Sequence, residues 1–252
     1  MEEKIEVIKS EKRVTIKYSN KRICIPKEIQ SEIDKYWEIR LKQNRKLIRG
    51  RVFCILNIEE KKDEFVFNLG YSDYAHYLYT LNNEVQEKYA CKVCFAVGLI
   101  MTSDDKYIVG QMNADTATPM RLQLPGGGLE EQDFIEGKMN LEKNLSRELL
   151  EEVGIDLKNK EVVEYAKLKY IKKGGVGGFV AFVYKIKLNI TGEKYLLYYN
   201  KFSKTVSDEL EFCKIILIEK NYESIKAIFS NIAVPVVDYL YPVIMADIKG
   251  NK

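Results

Sequence analysis

The chain has 252 residues, with 40 Lys and Arg against 37 Asp and Glu, giving a formal net charge of +3. This length accommodates one large domain or two small ones with a buried core. The near-balance of charge argues against a dedicated nucleic-acid binder, which would carry a basic surplus or stripe, and disfavours nucleic acid as a partner.

The cysteines and the histidine restrict the compartment and the metal chemistry. Five scattered cysteines are an odd number for a disulfide framework, and Cys91 and Cys94 form a lone CxxC. We therefore predict buried free thiols in a reducing cytosol rather than a zinc or redox site. His76 is the single histidine. Any metal site must then use carboxylates and carbonyls, which suits magnesium or manganese rather than zinc.

Neither end of the chain predicts a membrane segment. Residues 1–13 are charged and lack the apolar core of a signal peptide. The apolar tract 227–248 is interrupted by five residues, Asn231, Pro235, Asp238, Pro242 and Asp247. We expect a buried C-terminal helix pair, not a bilayer span. The sequence thus predicts a cytoplasmic protein with no membrane partner, and it leaves a homodimer open.

The first 90 residues predict a mixed α+β region. Strands and one helix are expected at 6–9, 14–18, 27–44, 52–58 and 64–69. Pro26 opens the helix, whose apolar side chains recur at four-residue steps. The last two strands predict a hairpin, and Ser72 or Asp73 is expected to cap a short tyrosine-rich helix.

The rest of the chain alternates strands with helical segments, which predicts an α/β fold. Strands are expected at 93–102, 107–112, 161–170, 179–188 and 212–218. Residues 121–124 lead into a glycine turn that a helix follows. The order of expected elements is completed by the segment 195–202 and a C-terminal helical region.

An acidic turn of helix follows a glycine turn. Glu148, Glu151 and Glu152 are spaced i, i+3 and i+4, so their side chains converge on one helix face. Arg147 can pair with Glu151, and a hard divalent cation is a natural partner for the remaining charge. The bare backbone of Gly126 to Gly128, upstream, lets a phosphate or metal approach closely.

The segments LPGGG (124–128) and RELLEEVGI (147–155) resemble the Nudix box, whose pattern is Gx5Ex7REUxEExGU with U a bulky aliphatic residue. The resemblance implies a Nudix-type α/β/α sandwich at 91–252. An additional N-terminal α+β region, 1–90, would pack against it on the substrate side.

The resemblance also implies an enzyme, a metal-dependent pyrophosphohydrolase acting on a nucleoside diphosphate linked to another group. It assigns Mg²⁺ or Mn²⁺ to Gly127, Glu148, Glu151 and Glu152. The catalytic residues would be Glu151, Glu152, Arg147 and the downstream acid Glu209, with Glu211 close behind. The substrate would contact Arg121, Gly126, Gly128 and Tyr74.

The spacing within the box departs from the pattern. Gly127 lies 20 residues before Arg147, whereas the pattern requires 14, which predicts an insertion of about six residues within 131–138. The position of the pattern's first glutamate differs when it is counted forward from Gly127 and when it is counted back from Arg147. In the family, this glutamate holds the arginine in place. Four residues stay open for that role: Asp133, Glu136, Met139 and Glu142.

The N-terminal region carries a second resemblance. Trp37, 44–53 and 70–74 are similar to a Nudix subgroup that acts on nucleoside diphosphate sugars such as UDP-glucose or GDP-mannose. We therefore expect cleavage of an NDP-sugar to a nucleoside monophosphate and a sugar phosphate. The alternatives are another NDP-X (ADP-ribose, a dinucleotide or an oxidised nucleoside triphosphate) and a Nudix-fold ligand sensor without turnover.

Overall fold

The computed structural model describes residues 3–45, 47–116, 118–135, 138–206, 210–231 and 233–250. The strands are β1 (Glu3–Lys9), β2 (Arg13–Arg22), β3 (Arg51–Glu60), β4 (Glu64–Asp73), β5 (Cys94–Met101), β6 (Lys106–Met112), β7 (Leu122–Gln123), β8 (Gly126–Gly128), β9 (Phe134–Ile135), β10 (Lys138–Met139), β11 (Val163–Gly175), β12 (Val180–Leu188) and β13 (Phe212–Glu219). The helices are α1 (Lys27–Gln43), α2 (Tyr74–Asn82), α3 (Leu141–Val153), α4 (Gly192–Thr205), α5 (Tyr222–Asn231) and α6 (Leu240–Lys249).

A mixed sheet forms the centre of the molecule. Its strands lie in the order β1-β11-β12-β5-β6-β13, with β7 paired to β6 and β8 paired to β5. Strands β12 and β5 are parallel, with Val180 beside Cys94 and Lys187 beside Met101. The glycine turn belongs to this sheet, because Gly127 in β8 pairs with Ala96 in β5.

Helices cover both faces of the central sheet. Phe182 and Val183 are neighbours in β12, so their side chains point to opposite faces. Phe182 lies in one core cluster with Leu149 of α3 and Tyr195 of α4. Val183 lies in the other, with Ile244 of α6. The predicted α/β fold with an α/β/α sandwich is thereby confirmed.

The N-terminal region adds a second sheet and a helix pair. Its three strands lie in the order β2-β4-β3, and the ring of Phe67 meets that of Phe182 edge-on at 4.9 Å. Helices α1 and α2 pack through Ile33, Trp37 and Leu78. This sheet therefore shares a core with α3. The region boundary at residue 90 stays a prediction, and β1 forms an edge of the central sheet.

Most predicted N-terminal elements are confirmed, including the helix after Pro26 and the hairpin of β3 and β4. Asp73 caps α2 and accepts a 3.0 Å bond from the His76 amide. Strands β1 and β2 follow each other but pair in different sheets, β1 with β11 and β2 with β4. Each strand has a partner remote in sequence, which local patterning does not reveal.

The apolar C-terminal tract forms the helix pair α5 and α6. Asp247 of α6 is fully buried, and it accepts bonds from Lys185 Nζ at 2.6 Å and Tyr107 Oη at 2.8 Å. The acid thus ties α6 to the sheet. Across the described ranges, no helix combines the length and the apolar character needed to cross a bilayer. Cys91 and Cys94 are buried free thiols, as predicted.

Candidate active site

Helix α3 carries the acidic turn, and its ends are defined by local sequence. Asn140 is the N-cap and accepts a 2.9 Å bond from the Lys143 amide. Gly154 ends the helix in the left-handed conformation, at φ 69°. Leu145 and Leu149 lie in the core. Their burial turns the acidic face of α3 toward the glycine turn.

The glycine turn contacts two of the glutamates directly. The Gly126 amide donates to Glu152 at 2.7 Å. Gly126 has φ +132°, and a Cβ there would lie 2.2 Å from the Ala96 carbonyl oxygen. A Cβ on Gly127 would lie 2.6 Å from the Glu148 carboxylate. Only glycine permits this close approach, and the structure thus brings turn and helix together as the sequence predicts.

Two buried carboxylates lie beside the turn, and the charge of a third, Glu211, acts on both. Glu148 is 9% exposed and Glu152 is 4% exposed. Burial raises the pKa of Glu148 to about 7, although the charge of Arg147 lowers it. Burial, followed by the negative charges of Glu211 and Glu148, raises the pKa of Glu152 well above its usual value. Glu211 therefore lies within electrostatic range of Glu152. The cluster therefore favours bound protons or a bound cation.

Arg147 is the positive centre of the acidic helix. Its guanidinium lies 3.2 Å from Asp133, 2.8 Å from Glu148, 3.2 Å from Glu151 and 3.8 Å from Glu130. The pairing with Glu151 is the one that the i, i+4 spacing predicts. Burial lowers the pKa of Arg147, but the bond to Asp133 and the surrounding carboxylates raise it by more. The arginine is held as a permanent cation.

Of the described candidates for the first glutamate of the box pattern, Asp133 is the one that pairs with Arg147. Its side chain is completely buried and accepts bonds from Arg147 Nε at 3.3 Å and Asn144 Nδ2 at 3.0 Å. The Glu130 amide donates to it at 2.8 Å. Of the other candidates, Met139 is in the apolar core and Glu142 is exposed, while Glu136 lies outside the described residues.

A short antiparallel hairpin lies in the segment of the predicted insertion. Ile135 of β9 lies opposite Lys138 of β10, Phe134 lies opposite Met139, and the Asn140 amide donates to the Asp133 carbonyl at 3.0 Å. The ring of Phe134 lies 5.4 Å from that of Tyr18 and 5.7 Å from that of Phe53. Through Phe134, the hairpin contacts the N-terminal sheet.

We expect Phe134→Ala to lower the free energy of unfolding by about 2 kcal/mol, because a half-buried aromatic ring is lost from the contact with the N-terminal sheet. Urea denaturation measures the change. Ile135→Ala is the control, since Ile135 is 45% exposed. Equal effects of the two substitutions would show that the hairpin does not fasten the sheet.

The remaining predicted residues lie around this cluster at different distances. The carbonyl oxygen of Gly128 accepts a 2.7 Å bond from Asn144. Tyr74 begins α2, and the charges of Glu211 and Arg121 both act on its hydroxyl. Tyr74 therefore lies near both Glu211 and Arg121. Glu209 lies outside the described residues, so its role stays a prediction.

Asn144 is a residue of the site that the sequence does not single out. It connects the glycine turn to Asp133 through its amide nitrogen, and its buried Oδ1 has no hydrogen-bond partner. The sequence feature that could have identified Asn144 is its spacing. Asn144 precedes Glu148 by four residues and so shares its helix face. A buried amide on an acidic helix face is typical of a residue that orders its neighbours.

The donor set suits a hard cation in its chemistry. Glu148, Glu152 and Glu211 offer carboxylate oxygens, and Gly127 lies against Glu148. Such oxygen donors match magnesium or manganese. In the part of the chain that the structure describes, no group of three acidic, His or Cys side chains already has the spacing of a metal site. Glu151 instead pairs with Arg147.

No family model matches the chain, and no curated protein matches it. Solved structures do. DR0079 from Deinococcus radiodurans is 12% identical with a TM-score of 0.44, over 78% of this chain and 97% of that one. A bifunctional NMN adenylyltransferase/ADP ribose pyrophosphatase from Francisella tularensis, complexed with AMP and a manganese ion, is 15% identical with a TM-score of 0.42, over 65% and 43%.

The NUDIX domain of Shewanella oneidensis NrtR, complexed with ADP ribose, is 12% identical with a TM-score of 0.39, over 69% of this chain and 97% of that one. Its name agrees with the family that the sequence motifs resemble. With such low identities and TM-scores, these likenesses carry no conclusion of their own. The case for a function rests on the residues of the site.

Proposed function

We propose that the chain is a Nudix-type, metal-dependent pyrophosphohydrolase that cleaves a nucleoside diphosphate linked to another group. One observation carries the proposal: the buried carboxylates of Glu148 and Glu152 lie against a glycine turn, and the charge of Glu211 acts on both. Two of these carboxylates have raised pKa values. A stable protein keeps such a cluster where a cation is to be bound.

Metal binding, orientation and proton transfer fall to different side chains of the site. Glu148 and Glu152 would hold Mg²⁺ or Mn²⁺, with the Gly127 carbonyl and Glu151 as further donors. When bound, the cation neutralises phosphate charge and lowers the pKa of an attacking water. Arg147, fixed by Asp133, orients Glu151. Glu211 lies against Glu152 and can accept the proton of the water, a role for which Glu209 is the other candidate.

We place the substrate's X group toward the N-terminal region and take the substrate to be an NDP-sugar. The position of Tyr74 near Glu211 and Arg121 supports this, because Tyr74 belongs to the segment that resembles the NDP-sugar subgroup. The expected products are a nucleoside monophosphate and a sugar phosphate. The free thiols at Cys54, Cys91 and Cys94 support the proposed cytoplasmic location.

A screen for phosphate-containing products tests the proposal. NDP-sugars, ADP-ribose, dinucleotides and nucleoside triphosphates are incubated with magnesium, with manganese or with EDTA. We expect metal-dependent release of nucleoside monophosphate from NDP-sugars. A preference for ADP-ribose or triphosphates would overturn the sugar assignment alone. Binding of one of these ligands without turnover of any would favour a ligand sensor.

Stability and activity should depend on pH through Glu148. Its pKa is about 7 in the folded chain, against 4.5 as the ordinary value, so the folded state binds the proton more tightly. Without metal, the contribution of Glu148 to the free energy of unfolding is largest below about pH 4.5. It falls by roughly 3 kcal/mol as pH rises to about 7. Activity should rise as pH passes through about 7 toward mildly alkaline values, because the ionised carboxylate binds the cation.

Thermal unfolding at pH 5.5 and pH 8, with EDTA or magnesium, measures this linkage. Magnesium should raise the melting temperature more at pH 8 than at pH 5.5. Glu148→Gln should flatten the pH dependence of the metal-free protein. An unchanged pH profile in that variant would refute the assignment of the shift to Glu148.

A further inference from the structure

Two arginines beside the proposed site lack the carboxylate partners expected of partly buried guanidinium groups. Arg40, Arg121 and Arg147 are the partly buried arginines of the described residues. Arg147 pairs with four carboxylates. Within the same described ranges, neither Arg40 nor Arg121 forms an ion pair. A desolvated cation without a counter-charge is costly unless a ligand supplies the charge.

Their hydrogen bonds are also incomplete. Arg40 donates to Gln43 at 3.1 Å, and Arg121 donates to Gln123 at 2.8 Å. The Nε atom of each arginine is buried and has no partner. A buried unpaired donor costs free energy, and native proteins rarely leave one without a reason. Two of them on two nearby guanidinium groups point to a missing acceptor.

The fold holds both arginines around Tyr74. Arg40 lies one helical turn after Trp37 in α1, and the Trp37 ring meets the Tyr74 ring at 6.4 Å. The charges of Arg40, Arg121 and Glu211 all act on the Tyr74 hydroxyl. Arg121 comes from the central domain, whereas Arg40 comes from the N-terminal helix. Asn44, four residues after Arg40, donates to the Asp115 carbonyl oxygen at 3.2 Å, so the end of α1 lies against the segment that leads to Arg121.

The backbone before Arg121 is held in a strained conformation. Met120 has φ 59°, in the left-handed region that non-glycine residues seldom adopt. Its carbonyl oxygen accepts a bond from Gln111 Nε2 at 3.3 Å, and the Leu122 amide donates to the Pro235 carbonyl at 2.8 Å. Strain of this kind is typical of a residue that must be aimed at a ligand.

We propose that Arg40 and Arg121 together bind phosphate oxygens of the substrate beside Glu211. This inference rests on the proposed function for the identity of the ligand, a nucleoside diphosphate derivative. Guanidinium groups suit this ligand because their planar donors match phosphate geometry. The N-terminal region then contributes a binding residue, Arg40, and the site is incomplete without it.

Calorimetric titration with inorganic pyrophosphate in EDTA tests the pair without relying on metal or turnover. We expect Arg40→Gln and Arg121→Gln each to weaken the Kd about tenfold, the loss expected for one charge-assisted bond. Arg45→Gln is the matched control, because Arg45 is exposed just beyond the same helix. Arg40→Lys, which keeps the charge but loses the planar fork, should also weaken binding and serves if Arg40→Gln does not fold.

Titrations with UMP and glucose 1-phosphate distinguish which phosphate of the substrate the arginines contact. The probe whose Kd responds to both substitutions carries the contacted group. Failure of the wild type to bind pyrophosphate, UMP and glucose 1-phosphate would overturn the inference, as would equal Kd values for Arg40→Gln and Arg45→Gln. If pyrophosphate binding depends on the two arginines but no nucleotide is hydrolysed, the proposed function is refuted and the phosphate-binding site is still supported.

Discussion

Glu152→Gln should reduce the rate of metal-dependent hydrolysis by about 10³-fold while leaving the protein folded. Glu152 is the most buried glutamate of the cluster, it accepts a bond from the Gly126 amide, and the charge of Glu211 acts on it. The amide of glutamine has nearly the same shape but cannot carry the negative charge that a cation or a proton transfer requires. The defect should therefore appear in kcat at saturating magnesium.

Stability should change in the opposite direction to activity. Burial raises the pKa of Glu152, so the ionised carboxylate is unfavourable in the metal-free folded state. Replacing it with a neutral side chain should raise the melting temperature at pH 8 in EDTA. Glu142→Gln, at an exposed position of the same helix, should change neither quantity. Wild-type turnover by Glu152→Gln would exclude Glu152 from the chemistry.

The sequence predicts local elements well and long-range pairing poorly. Apolar periodicity located α1 and a capping residue located α2, because both signals act within a few residues. The placement of β1 beside β11 depends on contacts between distant segments, for which the alternation of side chains gives no partner. The sandwich was predictable only because the motif resembles a family with a known arrangement.

In the candidate site, too, local features were predictable from the sequence and long-range contacts were not. The acidic face of α3 and the glycine turn followed from spacing, because i, i+3 and i+4 residues share a helix face whatever the rest of the fold. The role of Asp133 did not follow, since the inserted hairpin shifts any count made from the helix. Arg40 could not be predicted for another reason: only tertiary packing brings it within electrostatic range of Tyr74, as it does Arg121.

Removing Asp133 should destabilise the protein strongly. The residue is fully buried, and it accepts bonds from Arg147, from Asn144 and from the Glu130 amide. Asp133→Ala leaves those donors without their acceptor in a buried place. We expect a loss of about 3–5 kcal/mol in the free energy of unfolding, the usual cost of breaking one side of a buried ion pair.

Urea denaturation of Asp133→Ala, Asp133→Asn and the exposed-neighbour control Glu131→Ala separates charge from shape. Glu131→Ala should cost under about 1 kcal/mol, because a surface pair with Arg51 contributes little. Asp133→Asn keeps an acceptor oxygen but not the charge, so its loss should fall between the other two. If Asp133→Ala matched Glu131→Ala, Arg147 would be fixed by its other carboxylates. Asp133 would then not be the residue that holds Arg147. An acid with that role must fix the arginine before the arginine can orient Glu151.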